Sequence, residues 1–531
     1  MTPEEFRELG HRMVDWIAAY RAGIESRPVM SRAQPGDITR QFPDVPPEHG
    51  DYFDGVFDDL EHILLPGITH WNHPGFFAYF PSNMPLSGVL AELAIAGIGA
   101  QGMSWQTSPA ATEVEDVVME WLRQMIALPE EFSGVIQDTA STATLTALLC
   151  ARERATDYGQ NRGGLQSETQ RMIIYASLEA HSSVAKAAFL AGFGRENLRQ
   201  IPVDAEYGMR ADLLEAAIQE DIRAGNRPCA IIATSGTTAS VALDPIARIA
   251  EIARRHHVWL HVDAAMAGVA MILPECRWMW DGVEHADSVV LNPHKWLGAG
   301  FDFSAYFVRD VQHLIRVMST NPSYLRTEHD ASVRNLRDWG IPLGRRFRAL
   351  KFWFLLRDQG VAGLQTRLRR DLDNAQWLKH AVDSAPGWER VAPVHLQTVC
   401  IRHVPSGSGN LEEEGLSSEQ VNDKRDSSRS STSRNDDVRA VYAKDFASSL
   451  TVPRDSADVR TVRDVDNPER ETALAAHNLR IAEEVNRAGR AYVTPSLLGG
   501  RQIIRVSIGA EPTERRHVEM VWRELQRAAS L

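Results

Sequence analysis

Apolar positions recur along this chain with two different periods. Over residues 3–22, Phe6, Leu9, Met13, Trp16, Ile17 and Tyr20 fall at helical intervals. That spacing predicts an amphipathic helix whose stripe needs a surface to cover it. A Pro-rich connector follows (Pro35, Pro43, Pro46, Pro47), so the stripe is free to meet either its own chain or a second subunit. From about 80 to 310, short apolar runs alternate with helical patterns. Ile173–Ser177, Ala230–Thr234, Val258–Asp263, Ser288–Asn292 and Ser304–Val308 predict strands. Between two of them, Ile246, Ile249, Ile252 and Ala253 share one face of a helix over Pro245–His256. Nearly continuous apolar strands alternating with helices predict an α/β domain with a mainly parallel sheet. Ligands of such sheets bind beyond the carboxyl ends of the strands. Thr234, Asp263 and Asn292 each end a predicted strand and are site candidates by position.

The pattern changes beyond about 350. A helix near Asp371–Ser384, strands at Gln397–Arg402 and Gln502–Ile508 and a closing helix over 513–529 predict a smaller C-terminal α+β domain. The expected organisation is an N-terminal helical segment (1–79), a large α/β domain (80–350) and the small domain (351–531). Within the last, residues from about 405 to 467 include GSGNLEEEGLSSEQVNDKRDSSRSSTSRNDD. Such a stretch buries too little apolar surface to offset its ordering entropy, which predicts a disordered surface insertion.

Charge and cysteine content narrow the class. A net charge of −13 argues against nucleic-acid binding, which favours a basic excess. The four cysteines are far apart with no CxxC pair, which suits a reducing compartment and argues against a disulfide framework or a metal site. The N-terminus MTPEEFRELGHRMVDW lacks the basic start and apolar run of a secretion signal. No window approaches the roughly 20 apolar residues of a membrane span. A soluble cytoplasmic protein is expected.

Chemistry concentrates in Asn292-Pro293-His294-Lys295-Trp296. A lysine just after a buried strand is unusual, and an enclosed lysine with a depressed pKa is suited to forming a Schiff base. In His261-Val262-Asp263-Ala264-Ala265, an aspartate at a strand end can bond a protonated pyridine nitrogen and keep the ring a good electron sink. Ala265 is small enough to let a flat ring lie close. Taken alone, Asp263 reads equally as a helix cap. Asp138-Thr139-Ala140-Ser141-Thr142-Ala143 opens an apolar helical run, and a helix N-terminus offers N–H donors to an anion; an ordinary N-cap is the alternative. His181, in Ala180-His181-Ser182-Ser183, suits either a stacking or a structural role.

Together these elements resemble the aromatic-L-amino-acid decarboxylases, the group II decarboxylases dependent on pyridoxal 5′-phosphate (PLP). The resemblance covers about 3–404 and about 472 to the end. It rests on HPGFFAYFPS (73–82), SPAATEVE (108–115), AHSSV (180–184), HVDAAMAG (261–268), NPHKW (292–296) and IPLGRRFRALKFW (341–353). It implies the PLP-dependent transferase type I fold and a homodimer with shared active sites, the N-terminal helix packing on the partner. It implies Lys295 as the Schiff-base lysine, Asp263 as the pyridine-nitrogen partner and His181 as the stacking ring opposite Ala265. Ala140, Ser141 and Asn292 resemble phosphate ligands, His294 lines the same site, and Thr234 sits near the ring hydroxyl. Trp71, Tyr79, Phe80, Pro81, Ser82 and Met103 would shape the substrate pocket. The backbone at Leu343 and Gly344 would approach the neighbouring subunit's cofactor. Arg345 and Arg346 read as surface or interface ion-pairing arginines.

The expected activity is decarboxylation of an aromatic L-amino acid to its amine and CO2. The family's loop ahead of IPLGRR carries a tyrosine that resembles the proton donor to Cα. In NLRDWGIPLGRR, Leu336 falls at the position matched to it. Loss of a positioned acid costs about 10²–10⁴-fold in rate. Leu336 therefore raises two alternatives, an aromatic aldehyde synthase in which oxygen captures the carbanion, and a weakly active scaffold or interaction protein.

Overall fold

The computed structural model describes residues 1–50, 53–320, 332–405 and 468–531. The expected insertion lies, from residue 406 on, outside the described residues. Seven strands form the large sheet: β1 (Ser133–Gln137), β2 (Met172–Ser177), β3 (Leu198–Ile201), β4 (Arg227–Thr234), β5 (Trp259–Asp263), β6 (Ser288–Leu291) and β7 (Ser304–Val308). Their order is β1-β7-β6-β5-β4-β2-β3. The pairs β3–β2, β2–β4, β4–β5 and β5–β6 are parallel, while β7 runs antiparallel between β6 and β1. All five apolar runs singled out above are strands of this sheet. Their continuous apolar character follows from burial on both faces: every residue of β2, β5, β6 and β7 is buried.

The helix Ile246–Arg255 shows how pattern becomes packing. Ile246, Ile249, Ile252 and Ala253 are buried in the core on one face of the sheet, with Arg248, Glu251 and Arg255 left outside. Each fully buried isoleucine contributes about 1.5–3 kcal/mol.

A second sheet of four antiparallel strands, in the order β10-β11-β9-β8, contains β8 (Trp388–Arg390), β9 (Thr398–His403), β10 (Thr494–Leu498) and β11 (Arg501–Ser507). The helices Pro468–Ala488 and Arg515–Ala529 share its core. The predicted helix near 371–384 is the end of a longer one, Ala349–Asp383, which bends at Gly360 (φ 61, ψ 174), a backbone state that glycine adopts at little cost. The short strands β1, β3, β8 and β10 carried too little apolar length to stand out in the sequence. No helix among the described residues is long and apolar enough to cross a membrane.

Candidate active site

Sheet register brings the chemistry-bearing residues together. Thr234 pairs with Asp263 across β4–β5, and Asp263 pairs with Val290 across β5–β6. The ends of three parallel strands therefore lie side by side, about 4.8 Å apart per strand. Asn292 follows β6 directly, and its N–H donates to the Ala265 carbonyl at 2.9 Å. β2 flanks β4 on the other side, so His181, four residues past Ser177, emerges along the same edge.

The helix Ala140–Ala155 reaches this edge from the far side of the sheet. β1 is antiparallel to β7, and β7 to β6, so β1 and β6 point the same way. Gln137 at the end of β1 pairs with Ser304 at the start of β7. Ser304 Oγ in turn donates to Asn292 Oδ1 at 2.6 Å. The first turn of the helix follows Gln137 by three residues and so opens beside Asn292. Thr139 caps it, accepting from the Thr142 N–H. The N–H groups of Ala140 and Ser141 are first-turn donors, which lack intrahelical acceptors. Ser141 is exposed and Ala140 buried.

Lys295 sits in a short turn, Pro293–Leu297, where its backbone departs from helical angles (φ −90, ψ −113). Its Nζ lies 5.5 Å from the centroid of the Phe80 ring, and it makes no ion pair among the described residues. Burial lowers its pKa, and the charge of Asp263 pulls in the opposite direction. A lowered pKa enlarges the fraction present as the nucleophilic free amine. Asp263 Oδ1 accepts from the Ala265 N–H at 3.0 Å, fixing the carboxylate at the strand end and Ala265 beside it. His181 Nδ1 accepts from the Ser183 N–H at 3.2 Å and lies 2.8 Å from Ser183 Oγ. The ring's residue is exposed overall, yet the protein behind it lowers its pKa; Asp263 opposes this and Lys295 adds to it. His294 is tied inward instead, accepting from Phe303 N at 2.9 Å, and burial holds its pKa down at about 3. It is a structural neighbour of Lys295 that stays neutral.

These residues fit PLP on an observation independent of motif. Thr234 Oγ1 is buried at the same edge and has no hydrogen-bond partner. An unpaired buried hydroxyl is unfavourable unless a ligand satisfies it. It stands beside Asp263 and Ala265, where a flat ring carrying a hydroxyl and a nitrogen would meet all three.

The residues expected to shape a substrate pocket divide into two groups. Phe80 lies under Lys295, Pro81 is buried, and Ser82 Oγ donates to the His294 carbonyl at 3.0 Å. Trp71 and Tyr79 stack on one another, with ring centroids 5.7 Å apart, at an exposed position. The Met103 carbonyl accepts from Arg337 N at 2.8 Å. Leu343 and Gly344 are exposed.

Two expectations are corrected here. Leu336 is 1% exposed and belongs to the apolar core with Val135, Tyr306, Leu314 and Trp339. The residues that follow it are fastened, by Arg337 N to the Met103 carbonyl and by the Trp339 carbonyl, which accepts from Gln137 Nε2 at 2.9 Å. A side chain enclosed in its own subunit's core is an anchor, not a vacant acid position. Leu336→Asp should destabilise the fold by several kcal/mol, because a charge enters an apolar core. Leu336→Tyr should overpack it by about 1–3 kcal/mol and lower the melting midpoint without raising amine output. An unchanged midpoint in both variants would contradict this placement. Arg345, expected at a surface or interface, is buried. Its Nη2 donates to Glu115 Oε1 at 2.7 Å and to the Ile136 carbonyl at 2.8 Å. Glu115→Gln should cost about 3–5 kcal/mol in chemical denaturation, since it leaves a buried guanidinium without its counter-charge. Arg346 does pair at the surface, with Glu92.

Sequence reasoning missed Arg505. Its side chain is buried, its guanidinium lies 5.0 Å from the Phe80 ring that also faces Lys295, and it donates to the carbonyls of Ala239 and Tyr79. Its Nη2 has no partner. The available signal was an arginine inside the apolar run of β11, where a charge is rarely placed without a task.

Comparison with known proteins agrees with this geometry. Residues 35–404 match the pyridoxal-dependent decarboxylase conserved domain. The chain is 36% identical to phenylacetaldehyde synthase of Arabidopsis thaliana, over all of this chain and 97% of that protein. It is also 36% identical to tryptophan decarboxylase 2 of Oryza sativa subsp. japonica, over all of this chain and 95% of that protein. Among solved structures, the Oryza sativa TDC with PLP and tryptamine superposes with a TM-score of 0.85 at 32% identity, covering 100% of this chain and 98% of that one. A Rhodiola rosea 4-hydroxyphenylacetaldehyde synthase superposes with a TM-score of 0.82 at 30% identity, covering 100% and 99%. With Lys295, Asp263 and the first turn of the helix Ala140–Ala155 assembled at the carboxyl edge of the sheet, the chain belongs to the pyridoxal-dependent decarboxylase family and uses pyridoxal 5′-phosphate.

Proposed function

We propose that this enzyme decarboxylates an aromatic L-amino acid to the corresponding amine. The observation that carries the reading is the placement of Lys295 against Phe80, beside Asp263 and the unpaired Thr234 hydroxyl. PLP supplies an electron sink for the pair left at Cα when CO2 departs. The protein's residues do the rest. Lys295 presents a free amine as attachment point, Asp263 holds a proton on the ring nitrogen, and Thr234 satisfies the ring hydroxyl. The first turn of the helix Ala140–Ala155 and Asn292 hold the phosphate. His181 covers one ring face, opposite Ala265. The free Nη2 of Arg505 suits orienting the substrate carboxylate, and Phe80 with Trp71 and Tyr79 offers aromatic walls.

A homodimer fits the surface. The helix Pro3–Ala22 buries none of its residues in its own chain. Leu86, Leu90, Leu93, Ile341 and Leu343 are exposed. Apolar residues gathered in this way favour a second subunit as cover.

With Leu336 in the core, the loop acid that the family resemblance calls for has another candidate. Tyr324 is the only tyrosine between Met318 and Ile341, and it lies outside the described residues. The deciding experiment supplies L-dopa, L-tyrosine, L-phenylalanine, L-tryptophan and 5-hydroxytryptophan separately to the PLP-loaded enzyme, and quantifies amine, aldehyde and peroxide. Amine without peroxide is expected. Stoichiometric aldehyde and peroxide would replace this reading with the aldehyde synthase, and no product from any substrate would remove both. Tyr324→Phe should cut amine output by about 10²-fold or more, as loss of a positioned acid does.

A further inference from the structure

A second site lies apart from Lys295. A cavity of about 540 Å³ opens between the segment after the first helix (Glu25–Arg32), the turn at His73–Gly75, the corner at Ala488–Arg490 and the start of the helix Arg515–Ala529. It shares no residue with the cofactor site. We propose that this cavity binds a small multivalent anion, a polycarboxylate or a phosphate compound.

Charge is the first support. Arg27, Arg32, Arg490, Arg516 and Arg523 line the cavity, and Glu25 is the only carboxylate among its lining residues. This is a concentrated positive surface on a chain of net charge −13. Glu25 is already engaged by Arg516 and His517. Arg27 pairs with Glu61 and Arg490 with Glu524. Arg32 and Arg523 make no ion pair among the described residues.

The helix start is the second support. Helices favour acids in their first turn, where the dipole is positive. Here that turn carries Arg515, Arg516 and His517 and no acid. Two like-signed effects therefore converge on the cavity, and the N-cap Glu514 offsets only part of them. A bound anion would relieve both.

A buried donor is the third. His73 is 4% exposed, and its Nδ1 accepts the Gly75 N–H at 2.8 Å. That bond leaves the ring's proton on Nε2 when the ring is neutral. Burial first, then the neighbouring His70, holds the pKa of His73 down at about 4, so the neutral form prevails near pH 7. Nε2 faces the Glu25 backbone at the cavity wall, which raises its pKa but does not complete a hydrogen bond of normal geometry. The walls are held closely together: a Cβ on Gly75 would stand 2.2 Å from the Arg490 carbonyl, and one on Gly489 would stand 3.2 Å from Arg32 Nη2. The volume is within the range of about 300–1,000 Å³ common to small-molecule sites.

The test titrates citrate and inorganic phosphate separately into the PLP-loaded full chain by calorimetry, against chloride of matched ionic strength. Loading with PLP keeps the cradle at Ala140 and Ser141 occupied. Saturable binding of at least one anion is expected, weakened at least about tenfold, or about 1.4 kcal/mol, in both Arg32→Gln and Arg523→Gln. Retained visible absorbance of the cofactor shows that each variant is folded. Citrate alone would identify a carboxylate site, and phosphate alone a phosphate site. Absence of saturable binding of either anion up to about 10 mM, or parent-like affinity in either variant, would overturn the proposal.

Discussion

Lys295→Ala should lower turnover by more than about 10³-fold, because it removes the nucleophile and a proton-transfer group together, and a positioned proton-transfer group alone is worth about 10²–10⁴-fold. The cofactor should also be lost on dialysis, taking its visible absorbance with it. The fold should survive. Lys295 makes no ion pair among the described residues, and its charged form is disfavoured by burial, so the substitution removes a desolvated cation rather than a structural bond. The melting midpoint of the cofactor-free variant should equal or exceed that of the cofactor-free parent. Parent-like turnover in a folded variant would show that Lys295 is not the reactive amine.

Asp263→Asn should leave the cofactor bound and reduce turnover by about 10²–10³-fold, the usual effect of deleting one preorganised electrostatic partner of the reacting group. The asparagine oxygen can still accept the Ala265 N–H that Asp263 Oδ1 accepts at 3.0 Å, so geometry is kept and charge is lost. A second readout separates this from mere misplacement. Asp263 raises the pKa of both Lys295 and His181. Without that charge, their cationic forms lose support and both groups should titrate at lower pH. Lysine-selective labelling of the cofactor-free variant, followed against pH, should shift downward for Lys295. A turnover loss without this shift would point to a disturbed strand end instead.

Much of the catalytic edge was legible because of how parallel sheets are built. A strand buried on both faces must be apolar throughout, so β2, β4, β5, β6 and β7 declared themselves as runs. The polar residue that ends such a run marks the open edge. Thr234, Asp263 and Asn292 were found this way, and Lys295 follows three residues later. The core role of Leu336 was not legible. One apolar residue between polar neighbours has no period, so nothing local tells whether it faces a core, a partner or a ligand. The ion pair of Arg345 with Glu115 joins residues 230 apart in sequence. Arg505 meets the carbonyl of Tyr79 across 426 residues. Pairing at such distances leaves no mark on local pattern.

The sequence alone determined the strand ends at which Thr234, Asp263 and Asn292 emerge, because hydrophobic burial dictates strands and strands dictate where polar residues can emerge; the cofactor was implied by the resemblance of its motifs to the PLP-dependent decarboxylases. Tertiary structure decided which side chains gather at that edge and which pack in the core. It turned Leu336 from a missing acid into an anchor and Arg345 from a surface charge into a buried one. It also left Thr234 Oγ1 without a partner beside Asp263 and drew separate arginines around one cavity. The physical reason is the same in each case: charge pairing, close packing and hydrogen bonding act through space, between residues that the chain itself does not bring near one another.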